Sequence, residues 1–170
     1  MNKYLLLLTF VLPALLSFGQ SGLGFDLGFG TSKSGMLAGK YYYDEHNAFS
    51  VGFSYQSNHE LGKRNSKQAG DTIIGNGHYF YSVDLGYTRI FDDQFSLEGE
   101  ISTGPKKYYT NFRDNNLSAG GFHVIDKSKF QVGLGALFIY HFNEIFGLYG
   151  GYNTIRQATF GLQVRFRQKE

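Results

Sequence analysis

The 170-residue chain has no cysteine, no tryptophan and only two prolines, Pro13 and Pro105. Without cysteine there is no disulfide framework, no thiolate metal site and no lipid-modified N-terminal cysteine. After Gln20 no continuous apolar run reaches the roughly 20 residues that a membrane-spanning helix needs. Charge of one sign is also missing: 16 Lys and Arg stand against 14 Asp and Glu, and Lys3 belongs to the leader. The remainder is close to neutral, which argues against nucleic acid as a partner, since phosphate contacts need a concentrated basic face. The length is that of a single domain.

What the chain has in abundance is 23 Gly, 17 Phe and 13 Tyr, interleaved in short runs of alternating polarity. Glycine spread in this way is neither collagen-like nor low-complexity, and with aromatics it favours strands. Residues 1–20 differ from the rest. A positive Met-Asn-Lys start, an almost wholly apolar stretch from Tyr4 to Leu16, and Ser17 and Gly19 before Gln20 read as a secretory signal peptide. A spanning anchor is disfavoured by the shortness of the run and by Pro13. Residues 21–170 are then the exported domain, and membrane residence there requires β-structure, because only helices and closed barrels satisfy every backbone group in lipid.

Eight segments carry period-two alternation: 22–30, 35–43, 48–56, 78–91, 95–103, 130–142, 146–153 and 157–167. In the first, Leu23, Phe25, Leu27 and Phe29 oppose Gly22, Gly24, Asp26, Gly28 and Gly30. In the last, Ala158, Phe160, Leu162, Val164 and Phe166 oppose Thr159, Gly161, Gln163 and Arg165. A soluble lipocalin-like barrel or sandwich would coat its polar face with Lys, Glu, Asp and Thr. This polar face is mostly Gly and Ser with isolated charges, which suits a narrow barrel interior, and the bulky face suits a hydrocarbon exterior. The sequence therefore predicts an all-β, transmembrane, antiparallel up-and-down β-barrel of about eight strands. Connections at 44–47, 92–94 and 143–145 are short. Those at 57–77 and 104–129 are long and fall at the opposite rim, the asymmetry of barrels with tight periplasmic turns and longer outer loops.

The inferred inner face carries Asp26, Lys40, Asp84, Glu98, Glu100 and Arg165, with His141 lower down. The favoured reading is an ion-pair network that fills the lumen, since buried charges need partners. An odd number of residues in the first connection, as matching faces demand, allows Asp26 to lie directly opposite Lys40, and Arg165 could reach the same carboxylate. A gated ion path is the sharper alternative, but an eight-strand barrel is just wide enough to be filled by side chains. Glu98 and Glu100 share a strand face and could divide acid and base roles, yet no nucleophile accompanies them. The histidines show no spacing for metal ligands, so no metal or cofactor is expected. Lys63, Arg64 and Lys67 in one long connection, and Lys106, Lys107, Tyr108 and Tyr109 in the other, make a candidate outer-loop binding surface for anionic lipopolysaccharide, a polysaccharide or a protein. The alternative is that Tyr108, Tyr109 and Phe112 extend the hairpin above the membrane.

Thr159, Gly161, Val164 and Phe166 fill the polar, glycine, hydrophobic and aromatic positions of a pattern that resembles the C-terminal β-signal of outer-membrane proteins. That resemblance implies the barrel-assembly machinery as a partner. The exported region as a whole resembles the small outer-membrane β-barrels of Bacteroidota, porin-like proteins related in size to OmpX-like and OmpA-like barrels, and a leader ending in Gly19-Gln20 is similar to signal peptides of that group. It implies a cell-envelope protein of the outer membrane, in contact with lipid and lipopolysaccharide, without enzymatic activity, acting structurally or by binding through its outer loops. A barrel component of an envelope secretion or conjugation assembly, with an envelope protein partner, is the alternative. An envelope lipid hydrolase is less favoured, because no histidine is followed two residues later by serine as in lipid A deacylases.

Overall fold

The computed structural model describes residues 22–58, 63–64, 72–113 and 122–166. The expected signal peptide and Lys67 lie outside these residues. Nine strands form: β1 (Gly22–Gly30), β2 (Ser34–Tyr42), β3 (Asn47–Ser57), β4 (Lys63–Arg64), β5 (Ile73–Ile90), β6 (Phe95–Phe112), β7 (Phe122–His141), β8 (Phe146–Asn153) and β9 (Gln157–Phe166). All except the two-residue β4 pair antiparallel with both neighbours. The ring runs β1, β2, β3, β5, β6, β7, β8, β9 and closes where β9 meets β1, Leu23 opposite Phe166. Closure leaves no edge in the barrel wall, and puts the first and last described residues at one rim.

The pleat sorts the side chains as the alternation predicts, with the apolar set outside. Phe29 is 67% exposed, Phe53 65%, Phe130 73% and Val132 63%, whereas Asp26, Lys40, Glu98, Arg156 and Gln163 are at most 3% exposed. This polarity is inverted relative to a soluble protein, where exposed apolar patches rarely exceed a few hundred Å². Aromatics gather toward both rims of the outer surface. At the rim of the termini, Tyr43 stacks on Phe49 at 5.3 Å and Phe95 lies 5.2 Å from Tyr140. Toward the other rim, Tyr79 lies 6.4 Å from both Tyr55 and Tyr81, and Lys107 sits 5.2 Å over the Tyr81 ring.

Three short turns at the rim of the termini share one device, an Asx side chain accepting from the backbone ahead of it. Asp92 Oδ1 accepts from the Gln94 and Phe95 amides at 2.8 and 2.7 Å, and Asn143 Oδ1 from Ile145 and Phe146 at 2.9 and 2.6 Å. Asp44 Oδ1 accepts from the His46 amide at 2.7 Å and from Asn47 Nδ2 at 2.9 Å. The Asn47 bond, helped by the His46 and Asn47 amides, holds the Asp44 carboxyl below its ordinary range. A carboxyl lowered on folding adds stability above its unfolded pKa, and that stability is lost as pH falls through the folded value. Because the group is largely solvent-screened, Asp44→Ala should cost about 0.5–1 kcal/mol at neutral pH, and the gap from the parent protein should close in acid; urea titrations at several pH values measure both.

The other rim departs from expectation. Residues 73–77, 104–112 and 122–129, expected in the long connections, are strand: β5, β6 and β7 continue beyond the barrel as a three-stranded sheet. Its pairs include Gly77 with Tyr109 and Thr110 with Val124, and there are bulges at Ile74 and Asp126. Burial there no longer follows every second residue, since Tyr109, Phe112 and His123 are covered while Lys127, Ser128 and Lys129 are exposed in succession, so the sequence of the extension shows no alternation. The remaining outer hairpins are tight three-residue turns, 31–33 and 154–156, with positive φ at Lys33 (60°), the last residue of the first, and at Gln157 (62°), the residue that opens β9 after the second.

Candidate functional site: the lumen and the outer sheet

Two ion-pair clusters fill the lumen. In the one nearer the termini, Lys40 Nζ on β2 lies 3.2 Å from Asp26 Oδ2 on β1 and 2.5 Å from Glu98 Oε2 on β6. Glu98 also accepts from Ser50 Oγ at 2.6 Å and Thr88 Oγ1 at 2.8 Å, so both of its oxygens are engaged. Asp26 Oδ1 accepts from Gln163 Nε2 at 2.6 Å, and Gln163 Oε1 contacts His141 Nε2 at 2.7 Å. The register differs from the sequence expectation: Asp26 stands opposite Ala38, and Lys40 opposite Gly24. The three-residue connection is odd, as required, but it fixes the pair on the diagonal, two residues out of step, which the flexible lysine stem spans.

Arg165 does not reach Asp26. It faces Gly24 across the β1–β9 seam, one inward position closer to the rim, and its guanidinium donates to the Glu144 and Asp93 carbonyls at 3.2 and 3.3 Å. Gln163 takes the place opposite Asp26. Arg165 thus ties the β7–β8 and β5–β6 turns to the closing strand.

The second cluster is built on a residue of the β8–β9 turn. Arg156, between β8 and β9, folds back into the lumen and is 1% exposed. Its guanidinium lies 2.8 Å from Asp84 Oδ2 on β5 and pairs with Glu100 Oε1 on β6. Asn153 Nδ2 donates to the same Glu100 oxygen at 2.8 Å and to Ser102 Oγ at 3.0 Å, while its Oδ1 caps the turn by accepting from the Ile155 amide at 2.9 Å. Glu98 and Glu100 are therefore drawn to different cations rather than facing each other as an acid and base pair. One signal was present in the sequence: four inner carboxylates against Lys40 and Arg165 alone leave two negative charges unanswered.

Apolar residues complete the filling. Met36, Leu137, Ile139 and Tyr149 cluster inside. Leu137 and Ile139 were not recognised as inward because Ala136–Tyr140 is apolar on both faces and shows no alternation.

Of the expected outer surface, Lys106 to Tyr109 lie on β6, paired with His78 and its neighbours on β5 and with β7 on the other side, not in a loop. Lys63 and Arg64 form β4, which pairs parallel with Phe122 and His123 of β7. Tyr109 is buried, 5.4 Å from the His123 ring. In β9, Thr159 and Gly161 point inward and Phe160, Leu162 and Phe166 outward, with Val164 on the outward set.

No protein-family model and no curated protein matches the chain. Among solved structures it is similar to Ail, the attachment invasion locus protein of Yersinia pestis, in complex with the heparin analogue sucrose octasulfate, at 16% identity over 86% of this chain and 96% of that one, with a TM-score of 0.56. Ail alone gives 16% identity, 86% and 95% coverage and 0.54. The Yersinia pestis outer membrane protein Ail in a phospholipid bilayer nanodisc gives 16%, 86% and 99%, and 0.51. At such identity the likeness lies in the fold: this chain has the eight-stranded barrel fold of a small outer-membrane protein.

Proposed function

We propose that the chain is exported through its N-terminal leader, inserts in the outer membrane as a closed barrel, and acts there without enzymatic chemistry as a binding or structural protein whose outer sheet meets the surroundings. The observation that carries this reading is the inverted polarity: large apolar side chains outside, bracketed by aromatic rings, with paired charges inside. The fold shared with Ail, which has been studied in a bilayer, supports the same placement. Lysines and tyrosines at the outer rim, with Lys107 lying over Tyr79 and Tyr81, suit contact with lipopolysaccharide. Val164 and Phe166, outward on the closing strand, are the side chains that an assembly machinery would read.

The test is electrophoresis of the outer-membrane fraction, comparing boiled and unboiled samples in SDS. A chain found in that fraction that migrates faster before boiling supports the reading. Recovery in the soluble periplasmic fraction with no mobility change would overturn it and leave a soluble ligand binder.

A further inference from the structure

The open end of the lumen, above Arg156, is a polar cavity of about 530 Å³ whose lining includes Gln56, His78, Lys106, Gln131, Thr154 and Gln157. That volume falls in the range of small-molecule sites. Its tall wall is the inner face of the outer sheet, and the register decides what that face carries. Lys106 stands directly opposite Lys129, Tyr108 opposite both His78 and Lys127, and Gly104 opposite Gln131. Cross-strand partners share a face with Cβ atoms about 5 Å apart, and like charges so placed are destabilising. Among the described residues no carboxylate lies within ion-pair distance of Lys106, Lys127 or Lys129. The nearby acid on β7, Asp126, accepts from Thr110 at 2.7 Å. The Tyr108 ring backs this face, with the Lys106 ammonium 5.6 Å and the His78 ring 5.8 Å from its centre.

We infer that this mouth is a binding site for a phosphorylated saccharide. The phosphate would lie against Lys106 and Lys129, and the sugar hydroxyls against the amides and hydroxyls of Gln56, Gln131, Gln157 and Thr154. A phosphomonoester carries nearly two negative charges at neutral pH, which matches a facing pair of lysines better than a single carboxylate or sulfate does. Amide side chains offer a donor and an acceptor on one plane, as vicinal hydroxyls require. The site rests on the reading that this end of the barrel faces outward. The same chemistry has two sources, a free sugar phosphate or the phosphorylated saccharide of neighbouring lipopolysaccharide.

The test uses the refolded chain in lauryldimethylamine-oxide micelles free of lipopolysaccharide, titrated with glucose 6-phosphate, glucose 6-sulfate and glucose by calorimetry. Glucose 6-phosphate should bind most tightly, with an affinity that falls as salt rises. The Lys106→Gln/Lys129→Gln variant should lose about tenfold or more in that affinity, whereas Lys33→Gln, which removes another cation of the same rim, should change it less than about twofold. Equal binding of glucose and its phosphate, or an unchanged Lys106→Gln/Lys129→Gln variant, would overturn the site. Retained heat-dependent mobility in that variant shows that the barrel itself is intact, so failure of the site is distinguishable from failure of the barrel placement. In vesicles, loss of glucose 6-phosphate binding with phosphorylated but not dephosphorylated lipopolysaccharide assigns the native ligand to the membrane; unchanged binding assigns it to solution.

Discussion

Replacing Arg156 with alanine is expected to destabilise the folded barrel by about 3–5 kcal/mol, the cost of stranding buried partners of a removed charge. Asp84 and Glu100 are at most 5% exposed, and in the intact chain one guanidinium answers both. Their other contacts are neutral, from Ser82 Oγ to Asp84 at 2.8 Å and from Asn153 to Glu100 at 2.8 Å, and these do not balance two charges. The size of the effect depends on water. Above Arg156 lies the open mouth, so water admitted by the truncation will hydrate the carboxylates in part and bring the loss toward the lower figure. Arg156→Ala/Glu100→Gln should recover a measurable share of the stability, because one stranded charge is gone. The readout is the urea midpoint for loss of the fast-migrating unboiled band, together with far-ultraviolet circular dichroism; the chain has no tryptophan to report by fluorescence. A loss below about 1 kcal/mol, the scale of an exposed pair, would mean that the Arg156 cluster is solvated rather than buried.

How much could be read beforehand follows from where polarity is forced. Along β1, β8 and β9 one face meets the lumen and the other points outward, so Phe25, Leu148 and Phe160 alternate with glycines and polar groups and the strands are visible in the sequence at nearly their true bounds. Past Gly104 on β6 and before Phe130 on β7 burial is irregular, with Tyr109, Phe112 and His123 covered among half-buried and exposed neighbours. Lys106, Lys107 and Thr110 then carry no period, and 18- and 20-residue strands looked like shorter strands with loops. The lumen was legible as a set of charges but not as a set of partners. Lys40 bridges Asp26 on a diagonal, and Arg156 enters from a turn, where side-chain direction is decided by the positive φ at Gln157 and the Asn153 cap rather than by alternation. Leu137 and Ile139 were hidden for the opposite reason, since a strand apolar on both faces has no readable phase.

Gly161→Ala is expected to produce the second large effect, a loss of about 2–3 kcal/mol at the upper end of overpacking costs. Its origin separates two accounts of the closing strand. A methyl group built on Gly161 would meet the Leu27 carbonyl oxygen across the β1–β9 seam and the Tyr149 ring that lies over the wall. The carbonyl is backbone held by the ladder and cannot swing aside, so the seam itself must open. At Gly28, directly opposite Gly161, the first atom met is the Tyr149 hydroxyl, with the Phe160 carbonyl oxygen at 2.9 Å. Tyr149→Ala should therefore relieve Gly28→Ala more than it relieves Gly161→Ala, at the price of the cavity it leaves. If Gly161 matters only as part of a signal read by an assembly machinery, Gly161→Ala would refold normally in detergent and fail only in cells. Packing requires it to fail in both. Phe166→Ala is the contrasting case: its ring is 57% exposed on the outer surface, so its removal should leave detergent refolding nearly unchanged while lowering the amount of barrel assembled in cells. Refolding yields of the two variants in machinery-free micelles, set beside their levels in the outer-membrane fraction, decide between steric closure and recognition at this strand.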